Sequence, residues 1–268
     1  MKRTWLPSLG LIAALSAGSA AAGAFSPGER ATYQVRFLGM PAGEARIEVR
    51  APTQQWGTEV WPIVTDARSD SMVSFFFSVR DHFVTYWDYA NARSIGSRLD
   101  AREGDRHWGQ LIQLDHEARQ ADVLKTKAGE PPKQTRQEIS SNTTEVGGAA
   151  FAFRNAPLEV GGVYSVPVFT GNKSFNLKAT VVSRERIQTP WGRREVFKVK
   201  AETAFTGKLA SKRALYVYFT TDPSHVPVRI EADFAVGRIV AELTSYRPGS
   251  EVAANDAPAS EARVSAAP

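Results

Sequence analysis

The chain has 268 residues, 43% of them hydrophobic and 23% charged, with no cysteine and a formal net charge of +5. A disulfide framework and a cysteine-bearing zinc site are both excluded. So small a charge surplus gives a mixed surface, not a nucleic-acid footprint. The length suffices for one large all-β domain or two small ones, with a sizeable core either way.

The first segment, "MKRTWLPSLGLIAALSAGSAAAGAF", points to a compartment. It has a basic start at Lys2 and Arg3, an apolar run from Leu9 to Leu15, then a string of small residues. Ala20-Ala21-Ala22 and Ala22-Gly23-Ala24 both fit a small-x-small cleavage site. The run is too short to span a bilayer, and no cysteine follows it to anchor a bacterial lipoprotein. Residues 1–24 are therefore expected to be a cleaved signal peptide, which leaves a periplasmic protein without a transmembrane segment.

Alternation with period two then recurs along the chain. "TYQVRFL" sets Tyr33, Val35 and Phe37 on one face, and "ARIEVR" sets Ile47 and Val49 inward; "GMPAG" turns between them. This is the pattern of an amphipathic antiparallel hairpin. Later runs, among them "HFVTYWDY", "HWGQLIQLD", "FNLKATVVS" and "ALYVYFT", repeat it between Gly, Pro, Asn or charged turns. Many short strands at near-regular spacing predict a sandwich or a curled, barrel-like sheet.

Two stretches break the rhythm. "SDSMVSFFFSV" (Ser69–Val79) reads as a buried strand, or as a short helix capped by Ser69 or Asp70. "TEVGGAAFAFRNAPL" is the better helix candidate, with Phe151 and Phe153 feeding the core and Arg154 near its end. Between Ala128 and Thr144 the polar, Pro-containing chain reads as a loop between halves. A single β-rich domain is expected over residues 25–247. Beyond Pro248 there is neither an aromatic residue nor a period, so 248–268 is expected to be a disordered tail.

"FSPGERATYQVRFLGMPAGEARIEV" carries more than a hairpin pattern: a Pro-Gly-Glu lead-in, a Tyr-bearing strand, a Gly-bounded turn and an Ala-rich return. It resembles a bacterial exported family, the domain of unknown function numbered 3108. "VRDHFVTYWD", "FAFRNAPLEVGGVYSVPVF", "TPWGRREVFKVKAE" and "YFTTDPSHVPVRIEADFAVGRIVAEL" continue the resemblance in the family's order, over nearly all of the mature chain. One departure is Glu145, where the family often has an Asp ahead of the helix that precedes the Arg. The resemblance implies an all-β, antiparallel curled sheet, barrel-like or half-barrel, with one or two short helices. It implies no activity.

Residues with chemical potential mostly have structural occupations. In "TTDPSHVPV", Asp222 can accept hydrogen bonds from turn amides, Pro223 fixes φ, and Pro227 restarts the chain at a strand's first residue. His82, His107, His116 and His225 show no metal-ligand spacing. Asp81-His82 and Asp115-His116 are neighbours in sequence, which on a strand means opposite faces. "G-x-S-x-G" is absent, and "GNKS" (Gly171–Ser174) lacks a phosphate loop's context and reads as a hairpin turn.

Aromatic residues are the most informative feature. Phe75, Phe76 and Phe77 are consecutive, so they cannot all face one core, and Trp87 and Trp108 sit in crowded or Gly-flanked strands. These five are the candidate ligand-binding residues; a core filled by aromatic rings is the plainer reading. Lys173, Lys208, Lys212 and Arg213 could rim a cavity mouth or stand on solvated strand faces. No catalytic residue, metal ligand or cofactor is expected. The function expected is a non-catalytic periplasmic protein that binds a lipid-like or glycan component of the envelope, or assists envelope assembly. The alternatives are a hydrolase or lyase of envelope polysaccharide using Asp81, Asp115 and Glu145, and a structural factor with a protein partner.

Overall fold

The structure, a computed structural model, describes residues 23–70, 78–203, 215–234 and 237–250. The first half contains β1 (Arg30–Phe37), β2 (Met40–Val49), β3 (Thr53–Gln55), β4 (Thr58–Ser69) and β5 (Val79–Asp88). It continues with β6 (Arg93–Glu103), β7 (Arg106–Asp115), β8 (Gln120–Lys127) and β9 (Glu130–Glu138). A helix, α1 (Val146–Arg154), follows. The second half holds β10 (Val163–Phe169), β11 (Ser174–Thr189), β12 (Gly192–Thr203), β13 (Leu215–Thr220), β14 (Pro227–Phe234) and β15 (Gly237–Arg247).

These strands form one antiparallel sheet in the order β10 to β15, then β1, β2 and β4 to β9, with β3 hung on β4. The two halves join where β15 pairs with β1, from Arg30 opposite Arg247 to Phe37 opposite Ile239. The path begins at β10 and ends at β9, so the sheet is not closed into a barrel. Its curl follows from what α1 touches. Phe151 packs with Ile63 of β4 and Trp87 of β5. Two residues on, Phe153 packs with Ala179 of β11, Phe197 of β12 and Phe219 of β13. Strands far apart in the order meet one short helix, so the sheet must wrap around it.

Residues 128–144 are not the predicted loop, because β9 occupies Glu130–Glu138 and pairs with β8. Most of β9 is exposed. A strand at the sheet's edge with little buried on either face has no apolar alternation to read. Pro131 and Pro132 open the strand opposite an irregularity at Lys125 to Lys127, where missing amide donors are tolerated. The helix and the Asp222 turn form where predicted. The candidates Phe75, Phe76 and Phe77 lie outside the described residues, as do Lys208, Lys212 and Arg213.

Candidate functional site

Both ends of α1 are fastened by buried polar side chains. At the N-terminus the Glu145 carboxylate accepts from Gly147 N and Gly148 N, each at 2.7 Å, and from Ser94 Oγ at 3.1 Å. These bonds satisfy amides that a helix start leaves unpaired. The glycines allow the approach: a Cβ on Gly148 would sit 2.1 Å from Thr144 Oγ1. Burial pushes the Glu145 carboxyl up to about 7, against the pull of hydrogen bonds from Gly148, Gly147, Ser94 and Thr85.

At the C-terminus Arg154 lies between the rings of Phe25 and Phe151, 5.1 and 5.5 Å from their centroids. It forms a bidentate pair with Glu29 at 2.6 and 3.0 Å, and both side chains are buried. Its remaining bonds go to backbone: Nη2 donates to Ala24 O at 2.9 Å, and Nε and Nη2 reach Ser224 O at 3.2 and 3.0 Å. Tyr246 Oη donates to Glu29 Oε2 at 3.2 Å, and Tyr33 Oη donates to Pro227 O at 2.8 Å. Burial raises both phenols, and for Tyr246 the Glu29 carboxylate adds to it.

Between this fastened helix and the sheet lies a cavity of about 240 Å³. Its walls are aliphatic or aromatic: Ala149 and Phe153 from α1, then Ala179, Val199, Val217 and Phe219 from successive strands. Among the described residues its only charged or hydroxylated lining groups are Glu29, Arg154 and Tyr33, and each is hydrogen-bonded as described above. Val146, 59% exposed, and the exposed Ala150 also line it, which places its mouth along the N-terminal turns of α1.

Of the aromatic candidates, Trp87 is buried, with Phe25 edge-on at 5.6 Å, inside a cluster of rings and aliphatics. Trp108 is half-buried on β7, opposite Ala101 and Lys127. Neither lines the cavity. The sequence reading missed Glu29 as the partner of Arg154, and missed the small residues Ala149, Ala179 and Ala201 that leave the space. For the alanines the available signal was their place in alternating runs, where a larger apolar residue would fill a core.

The remaining candidates have separate occupations. Asp115 accepts from Ala118 N at 2.8 Å in the β7–β8 turn, and Asp81 accepts from Arg102 N at 3.3 Å. With Glu145 at the helix cap, these three carboxylates share no cleft among those found in the described residues. His82 pairs with Asp66 at 2.7 Å and His107 with Asp100 at 3.2 Å. His116 meets Ser94 O and His225 meets Arg154 O, both at 2.8 Å. The "GNKS" stretch closes a turn through Thr170 N and Lys173 O at 3.0 Å. Among the described residues no group of three metal-binding side chains occurs.

An open antiparallel sheet curled around one helix defines the class: an incomplete β-barrel with the helix in its bore. Within that class the chain belongs to DUF3108, a family of proteins of unknown function, whose profile matches residues 32–244. Among solved structures it is similar to a β-barrel-like protein of domain of unknown function DUF1849 from Brucella abortus. The TM-score is 0.56 at 9% identity, covering 84% of this chain and 98% of that one. Two more distant likenesses, each with a TM-score of 0.33, are an exported-protein candidate with a YmcC-like fold and a lipoprotein candidate. The first, from Bacteroides fragilis, is 13% identical over 83% of this chain and 97% of that one. The second, from Parabacteroides distasonis, is 12% identical over 84% and 98%. No curated protein matches the chain.

Proposed function

We propose that the protein binds the apolar chain of a lipid-like envelope component beneath α1, in the periplasm to which its N-terminal segment is expected to direct it. The observation that carries this reading is the apolar cavity of about 240 Å³. An apolar cavity of about 150 Å³ stays dry and takes up benzene, so this one has room for the end of an acyl chain. The polar groups at its floor already hold partners, so they offer a headgroup no free donor. The ligand's apolar end therefore enters first and its polar end stays at the mouth beside Val146.

The test is displacement of a fluorescent apolar probe by fatty acids, with native mass spectrometry of protein taken from the periplasm. Wild type should bind the probe and carry a lipid-sized adduct. Ala201→Leu, which fills the cavity, should weaken probe binding about tenfold while the protein melts within a few degrees of wild type. No probe binding and no adduct in wild type would refute the reading.

A further inference from the structure

The outer face of the sheet holds a different arrangement. Strand register sets Arg68 on β4 opposite Arg80 on β5, and Arg80 opposite Arg102 on β6. Like charges directly opposite one another destabilise a sheet. With neighbouring strands about 4.8 Å apart, the three backbone positions span roughly 10 Å.

The nearby acids do not relieve this row. Glu44 is shared between Arg68 at 3.1 Å and Arg46 at 3.6 Å. Asp66 is occupied by His82 at 2.7 Å. Asp100 is occupied by His107 at 3.2 Å, with Arg102 at 3.9 Å. Asp81 also lines the groove and spends one oxygen on the Arg102 backbone amide. That leaves Arg80, and Arg98 further along β6, exposed and with no carboxylate partner among the described residues. Both line a groove of about 780 Å³ that also reaches Tyr86, whose ring is held edge-on by Trp56 at 5.2 Å.

We propose that this groove binds an anion carrying two or more phosphate groups, with Arg80 and Arg98 as its primary contacts and Arg68 and Arg102 flanking them. A guanidinium presents a planar fork that engages phosphate oxygens in pairs. Unpaired arginines on an exposed sheet contribute little to folding, so Arg80 in the row and Arg98, four residues along β6 from Arg102, find their use in a ligand. The chain's overall charge surplus is too small to explain the row as a general basic surface.

Two probes separate the sources of such an anion. Tripolyphosphate is titrated calorimetrically into the full chain, and vesicles of cardiolipin, whose headgroup carries two phosphates, or of phosphatidylcholine are tested by co-sedimentation. Tripolyphosphate should bind, more weakly as salt rises, and Arg80→Gln/Arg98→Gln should weaken it about tenfold. Arg80→Lys keeps the charge but loses the fork and should fall between. A soluble ligand predicts tripolyphosphate binding without sedimentation. A lipid headgroup predicts sedimentation with the cardiolipin vesicles alone, reversed by tripolyphosphate. Both variants carry only exposed substitutions, and their melting checks the fold. If neither probe binds wild type, or the double variant binds them equally well, the proposal is wrong.

Discussion

Trp87 and Ala179 look in on the same helix from opposite arms of the curled sheet, and the space around them differs sharply. On the Trp87 arm, Phe25 meets Phe151 at 4.7 Å, Trp87 at 5.6 Å and Trp61 at 6.1 Å, all edge-on. Val49 and Ile63 fill the gaps. On the Ala179 arm, Ala179 and Ala201 line the wall together with Ala149 of α1, and the cavity opens between them. Interiors normally pack as densely as organic crystals. At about 24 cal/mol per Å³, a hollow of this size weighs several kcal/mol against folding, out of a total near 5–15 kcal/mol. Side-chain volume alone separates a filled arm from a hollow one, and the hollow is costly enough to need a use.

The largest effects should come from the floor that holds the helix over the hollow. Arg154→Met leaves Glu29 buried and unpaired, and urea denaturation should show a loss of about 3–5 kcal/mol. Adding Glu29→Gln should restore part of it. A single-variant loss below about 1 kcal/mol would mean that the pair does not anchor α1. Trp87→Ala should cost about 3–5 kcal/mol, as for a buried ring. Val217→Ala, on the hollow arm, should cost about 1 kcal/mol, because its methyl groups face space instead of neighbours. Equal costs at the two positions would erase the contrast between the arms.

A smaller effect should appear with pH at the other end of α1. Folding raises the Glu145 carboxyl from 4.5 to about 7, so the folded state prefers the protonated acid. Its contribution is full below pH 4.5 and is lost as pH rises through 7. Between those limits wild type should lose of the order of 1–3 kcal/mol relative to Glu145→Gln, which stays neutral. Parallel stability curves for the two proteins would show that the carboxyl titrates as if exposed.

What the sequence disclosed follows the range of each interaction. Tyr33, Val35 and Phe37 alternate within one strand, and Glu145 lies two and three residues from the amides it caps, so strands and helix were legible. The Glu29–Arg154 pair spans 125 residues, and no local period connects its members. In β11 a bulge at Val181 to Ser183 resets the alternation, so the strand reads as ending there although it continues to Thr189. The candidate site was hardest to read because a cavity is missing volume. Conspicuous rings drew attention to Trp87, whereas Ala179 and Ala201, which make the space, look like ordinary strand residues.

The smallest effect should come from the turn that completes the floor. Asp222 Oδ1 accepts from Ser224 N at 3.0 Å and from Ser224 Oγ, and His225 N donates to Asp222 O at 3.0 Å. This turn presents Ser224 O to Arg154, so it supports the hollow arm from outside the cavity. Burial works to raise the Asp222 carboxyl, but the bonds from Ser224 and Thr220 outweigh it and hold it below the usual carboxylate range. A depressed folded pKa makes the contribution full above the unfolded value and lost as pH falls through the folded one. Asp222→Ala should therefore cost about 1 kcal/mol near neutral pH, as for other lost local caps, and the difference from wild type should shrink in acid. Thermal melts at pH 7 and pH 3 measure both, and probe binding should persist wherever the variant is folded. A variant that melts like wild type but no longer takes up the probe would place Asp222 in the binding site and not in the turn.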